Sequence, residues 1–128
     1  KMSRFAVSEN FLSENHAPSE MSEWFLSQNE TDGFALVRNA IKNSETRASE
    51  IELLWANFLT AWMLSTEQRK KMHVFLFDET INPRHRRWCL EGAETGFSPE
   101  HLAVLICNSR PPLVRVVEYG LFLLAGNP

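Results

Sequence analysis

Between Glu45 and Leu64 the apolar residues Ile51, Leu54, Trp55, Phe58, Leu59, Trp62 and Met63 recur at steps of three and four, the period at which side chains stack along one side of an α-helix. The stripe is wider than a single face, which favours a homo-oligomer, since a monomer would leave one stripe wet. Glu45, Arg47, Glu50 and Glu52 fall on the side expected to meet solvent. A chain of 128 residues, 44% of them hydrophobic, can wrap one such helix in a single domain, removing roughly two-thirds of its unfolded surface from water.

Turn and cap residues divide the rest. Ser19 to Gln28 places Met21, Trp24, Phe25 and Leu26 mostly on one helical stripe, and after the turn cluster Asn29 to Gly33 the residues Phe34, Leu36, Val37, Ala40 and Ile41 do the same as far as Asn43-Ser44. Ser65 or Thr66 can cap a segment running to Phe77, either continuing the preceding helix or bending from it. Asp78 to Asn82 breaks the pattern. Asn82-Pro83 then supplies an N-cap and an N1 proline for a helix to about Thr95, where Gly96 can take the left-handed stop. Ser98-Pro99-Glu100 repeats that start for a helix over about 99–107, and Asn108 to Pro112 leads to a helix from Leu113 to Tyr119 closed by Gly120. Leu121 to Ala125 reads as a short strand or an interface segment. From Ser3 to Pro18 there are too few apolar residues to offset the ordering entropy alone, so 1–18 reads as an arm that docks or stays loose. The expected fold is all-α: a single-domain bundle of five to seven short helices over 19–128, with a helix-turn-helix-like unit at about 99–119.

Thirteen Lys and Arg against sixteen Asp and Glu give a net charge of −3, so no global field draws the chain to nucleic acid or to an anionic membrane. Positive charge is concentrated locally, in Arg69, Lys70 and Lys71 and in Arg84-His85-Arg86-Arg87. Such a patch is either a solvated face paired with glutamates or a phosphate contact. Cys89 and Cys107 make no disulfide framework and lack the paired spacing of a zinc site, which suits a reducing cytosol. Lys1-Met2-Ser3-Arg4 leads into no apolar run of leader length and no later window has the length of a membrane span, so the expectation is a soluble, cytoplasmic chain with no membrane partner. Lys1 reads as a cloning remnant.

A phosphate loop, His-Glu-x-x-His, Cys-x-x-Cys and a nucleophile elbow are all missing from the sequence, so no catalytic residue, metal or cofactor is expected. His85 and Cys89 share a helical face, but two ligands do not make a site and Arg84, Arg86 and Arg87 would repel a cation. A helix-turn-helix needs a small residue at the helix crossing, a turn residue and apolar anchors. One register uses Gly92, Gly96, Leu102 and Leu105, but its second helix is too apolar for a DNA groove. The other uses Ala103 at the crossing, Cys107 at the turn, and Leu113 and Val116 as anchors, leaving Ser109, Arg110 and Arg115 for phosphates or base edges. Arg84, Arg86 and Arg87 are the further candidates for phosphate contact.

The run from Thr95-Gly96-Phe97-Ser98-Pro99-Glu100 to Leu105, and on through Pro111-Pro112-Leu113-Val114-Arg115-Val116-Val117-Glu118, resembles the conserved core of the FlhD family, the non-zinc subunit of the flagellar master activator, which includes activators of conjugation genes on mobile elements. The resemblance covers about a quarter of the chain without gaps, and its matching positions are Gly96, Glu100, Leu105, Pro112, Val114, Arg115 and Glu118. It implies an all-helical, self-associating transcriptional activator subunit that binds DNA in a hetero-oligomer with an FlhC-like zinc-binding partner and contacts RNA polymerase. Of the matching residues only Arg115 would be a DNA contact. The longer segment before residue 45 and the stretch from Asp78 to Arg87 depart from the family pattern.

A second reading makes the chain a small helical adaptor that binds protein and touches no DNA. Trp24, Trp55, Trp62, Trp88 and nine phenylalanines exceed what a minimal bundle needs, and such residues anchor interfaces. Trp55, Phe58 and Trp62, on the helix with apolar residues on more than one face, are the candidate interface residues.

Overall fold

The computed structural model describes residues 5–46 and 50–126, so Arg47 and the first four residues of the arm lie outside the described residues. The fold is all-α, with eight helices among those residues rather than five to seven. They are α1 (Glu9–Glu14), α2 (Ser19–Gln28), α3 (Gly33–Thr46), α4 (Glu50–Met63), α5 (Thr66–Glu79), α6 (Pro83–Thr95), α7 (Pro99–Ser109) and α8 (Leu113–Leu124).

Local chemistry sets most boundaries. Ser65 and Gln68 form a reciprocal capping box, with Gln68 N–H donating to Ser65 Oγ at 3.2 Å and Ser65 N–H to Gln68 Oε1 at 2.9 Å. The chain therefore bends there instead of continuing α4. Asn82 Oδ1 accepts from Arg84 N–H at 2.9 Å, Ser98 Oγ accepts from His101 N–H at 3.1 Å, and Gly96 is left-handed with φ 76°.

Several boundaries differ from the sequence expectation. Helix α3 runs past Asn43-Ser44 to Thr46, so Glu45 belongs to α3 and α4 is described from Glu50. Asp78 and Glu79 remain helical at the end of α5. Cys107 is not a turn residue, because α7 runs to Ser109 and the left-handed position is Arg110, with φ 51°. Gly120 does not close α8, which continues to Leu124, so Leu121 to Ala125 is no strand. A Cβ at Gly120 would overlap the Thr60 side chain, so the glycine permits the close approach of α8 to α4.

The central helix is α4, which packs against α3, α7 and α8, as its broad apolar surface requires. Ala56, Leu59 and Ala61 are buried. Two polar residues inside it are satisfied along the helix, Asn57 Nδ2 donating to Leu53 O at 3.0 Å and Thr60 Oγ1 to Ala56 O at 2.7 Å. Glu52, expected at the solvent face, is buried and accepts from Trp24 Nε1 at 3.3 Å. One core cluster joins Val7, Leu12, Met21, Phe25, Leu36 and Val37 to α4, and the other joins Leu64, Met72, Leu76, Leu102, Leu105 and Leu123. The segment before α2 is tied in by Val7 N–H to Thr31 O and by Gly33 N–H to Phe5 O, both at 2.8 Å.

Helices α5 and α6 make the most extensive helix pair, and His73 stands at its centre. The imidazole is fully buried against Gly92, Nδ1 donates to Arg69 O at 2.7 Å, and Nε2 has no hydrogen-bond partner. Burial holds its pKa below the usual imidazole value; His101 and Arg69 push the same way and the hydrogen bond to Arg69 opposes. The unfolded chain takes up this proton at about pH 6.5, whereas the folded chain resists it, so the contribution is full above that pH and is lost as pH falls below it. Urea midpoints are expected to fall between about pH 7.5 and pH 5, and a His73→Asn variant should lose that part of the dependence. Equal pH slopes in the two proteins would remove His73 as the cause.

Candidate interaction groove and basic segments

Leu54, Phe58 and Trp62 lie four residues apart on α4, so one side of the helix carries them in a row. All three are half-buried, and Ile51, one turn earlier, is exposed. Facing them on α7 are Val104, 58% exposed, and Cys107, also exposed. Two cavities follow this seam. One, of about 590 Å³, is lined by Glu50, Leu54, Ile106, Cys107, Arg110, Pro111, Pro112 and Leu113; the other, of about 260 Å³, by Asn15, His16, Pro18, Phe58, Trp62, Glu100, Ala103, Val104 and Cys107. Cys107 lines both, so the two cavities adjoin and together form a groove that follows α4 and α7. Partial desolvation against the groove wall pushes the Cys107 thiol up from its ordinary pKa.

Of the candidate interface residues, Phe58 and Trp62 line this groove. Trp55 does not: it is 7% exposed and packs in the core, tilted against Phe58 with ring centroids 5.9 Å apart. A helix repeat places Trp55 about 100° from Leu54, toward the side that the rest of the bundle covers.

The basic residues divide into engaged and exposed. Arg86 Nη1 donates to Phe77 O at 3.0 Å and Thr80 O at 2.9 Å, and its guanidinium carbon lies 3.8 Å from the Phe77 ring centroid. It thus closes the C-terminal end of α5 with charge and hydrogen bonds where carbonyls lack helical partners. Arg69, counted in the basic patch, is also structural, with its guanidinium against the α4–α5 and α6–α7 turns. Lys70 pairs with Glu67 at 3.1 Å, and Arg115 Nη2 pairs with Glu79 Oε1 at 2.7 Å. Arg84 and Arg87 are exposed on α6, and Arg110 is exposed where it lines the larger cavity beside Glu50. Ser109 Oγ is enclosed with no hydrogen-bond partner.

Cys89 is fully buried and burial raises its thiol pKa, so it is not offered with His85 as a ligand pair. Among the described residues no group of three or more His, Cys, Asp and Glu side chains is arranged to hold a metal ion, and no helix is long and apolar enough to cross a membrane. Rings of His85, Trp88, His101, Phe97 and His73 follow one another at centroid distances from 4.1 to 6.4 Å, joining α5, α6 and α7 through aromatic contact.

Sequence reasoning had Phe58 and Trp62 but missed Leu54, Val104 and Cys107 as parts of one groove. The available signal was the apolar character of the segment Pro99 to Ile106, which argued against a DNA groove and, by the same physics, for an apolar contact. No protein-family model, curated protein or solved structure matches this chain.

Proposed function

We propose that the chain is a helical protein-interaction subunit whose α4–α7 groove holds part of a partner. The observation that carries this reading is the row of half-buried Leu54, Phe58 and Trp62 along α4, with the exposed Val104 of α7 lining the same cavity as Phe58 and Trp62. Apolar surface at the bottom of a groove gains more from a partner than from water, and half-buried aromatic residues are the usual anchors of such contacts. Replacing Val104 with glutamate puts a charge beside that row at a solvent-facing position. The variant is expected to keep its helix content and melting temperature while losing, on affinity purification from its native cells, the protein that the unaltered chain retains. Retention of that same protein by the variant would remove the groove from the reading.

A second reading, as an activator subunit of the FlhD type acting on DNA with an FlhC-like zinc-binding partner and RNA polymerase, has one specific observation in its favour. The contact of Arg115 with Glu79 ties the start of α8 to the end of α5, a few residues before Arg84 and Arg87 in the chain. Against it, Arg86 is engaged inside and Arg115 is paired, which leaves Arg84, Arg87 and Arg110 of the cations singled out for DNA contact. Changing these three to alanine in the assembled complex would lower the slope of log affinity against log salt by up to about 3. An unchanged slope would exclude them from DNA contact.

A further inference from the structure

We infer that the occupant of the α4–α7 groove is an amphipathic helix of a partner protein, about three turns long, lying antiparallel to α7 with a basic residue in its last turn beside Glu100. This rests on the reading of the chain as a protein-interaction subunit.

Along α4 and α7 the backbone groups bond within the helix, so an extended peptide lying on them would bring N–H and C=O groups that find no partner there; the non-helical lining is confined to two short segments, Asn15 to Pro18 and Arg110 to Pro112. A helix satisfies its own backbone and presents side chains alone. The α4 residues that line the groove run from Glu50 to Trp62, about 18 Å at the helical rise, the length of about three turns.

Charge then sets the direction. Glu100, in the first turn of α7, is at the end that holds Trp62 and Phe58, while Arg110 is at the other end. A helix carries partial positive charge at its N-terminus and negative at its C-terminus, so natural amphipathic helices favour acidic first turns and basic last turns. Placed with its acidic end toward Arg110 and its basic end toward Glu100, such a helix meets opposite charge at both ends. The basic side chain would also pass over the aromatic rings of Phe58 and Trp62, where its stem is buried and its charge attracted. Glu50 shares the Arg110 end and weakens selection there, so the discriminating contact is with Glu100.

The test uses the full chain and two hydrocarbon-stapled peptides of identical composition and apolar stripe, held equally helical by the staple and labelled with fluorescein. One has glutamates in its first turn and lysines in its last; the other has these exchanged. By fluorescence anisotropy the first is expected to bind about tenfold more tightly than the second. Glu100→Lys, a change at an exposed position, is expected to erase or reverse that preference, which a difference in peptide helicity could not do. Equal affinity of the two peptides, or a preference unmoved by Glu100→Lys, would overturn the charge order. If neither peptide binds while Val104→Glu still abolishes capture of the cellular partner, the helical occupant is overturned and the interaction reading stands. If Val104→Glu leaves both peptide binding and cellular capture intact, both are overturned.

Discussion

Replacing Gly92 with alanine is expected to cost about 3 kcal/mol of stability, although the same change in an ordinary helix interior gains up to about 1 kcal/mol. A Cβ at this position would overlap the His73 ring. The ring has little room to yield, since Nδ1 is bonded to Arg69 O and Phe97 packs edge-on with its centroid 5.6 Å away. The strain therefore falls on the packing of α5 against α6. A loss of this size corresponds to a melting temperature about 10 °C lower. His73→Ala in the Gly92→Ala background should recover part of the loss, because removing the ring makes the space that the methyl needs. Urea unfolding of the two single variants and the double variant checks this. Additive losses would mean that the methyl is accommodated without meeting the imidazole.

The second large effect is expected at Arg69. Its Nε donates to Gly96 O at 3.1 Å and to Phe97 O at 3.0 Å, Nη1 to Leu64 O at 2.9 Å, and Nη2 to Thr66 Oγ1 at 3.1 Å. One guanidinium thus holds the turn between α4 and α5 and the turn between α6 and α7. The latter contains two successive positive-φ residues, Gly96 and Phe97, the second at φ 42°, a conformation that a bulky side chain adopts only when its surroundings hold it there. Arg69→Met keeps the apolar stem and removes the donors, and should cost about 3 kcal/mol because several charge-assisted bonds go at once. Arg69→Lys is expected to recover less than half, since an ammonium cannot present the planar fork that reaches both turns. Lys71→Met, two residues along at an exposed position, should change stability by less than about 0.5 kcal/mol. Equal midpoints for Arg69→Met and Lys71→Met would show the turns to be held by other contacts.

Asn82-Pro83, Ser98-Pro99 and Gly96 were readable because a cap is decided by atoms within a few residues, and the structure has each in the expected place. Gly120 was misread because a glycine in an apolar run can end a helix or admit a neighbour, and the neighbour, Thr60, is distant in sequence. Arg69 and Arg86 were counted as surface charge because sequence records the charge but not the carbonyls within reach of a long side chain. Glu52 was assigned to solvent because Trp24, its donor, belongs to another helix. The groove was half legible: the spacing of Leu54, Phe58 and Trp62 can be read from sequence, but which side of α4 the other helices leave open depends on tertiary packing.

Helix α8 contributes Val117 to one core cluster and Val116, Leu123 and Leu124 to the other, and it packs against both α3 and α4. During synthesis it emerges after α1 to α7, so the two clusters remain open along one side until it arrives. The α5–α6 hairpin, built from neighbours in sequence, can form early, whereas the closure by α8 joins segments far apart and is entropically late. A ribosome-bound chain that ends within α8 therefore displays apolar side chains of α3 and α4 that the finished fold conceals, which makes this interval the one in which chaperone capture or aggregation competes with folding.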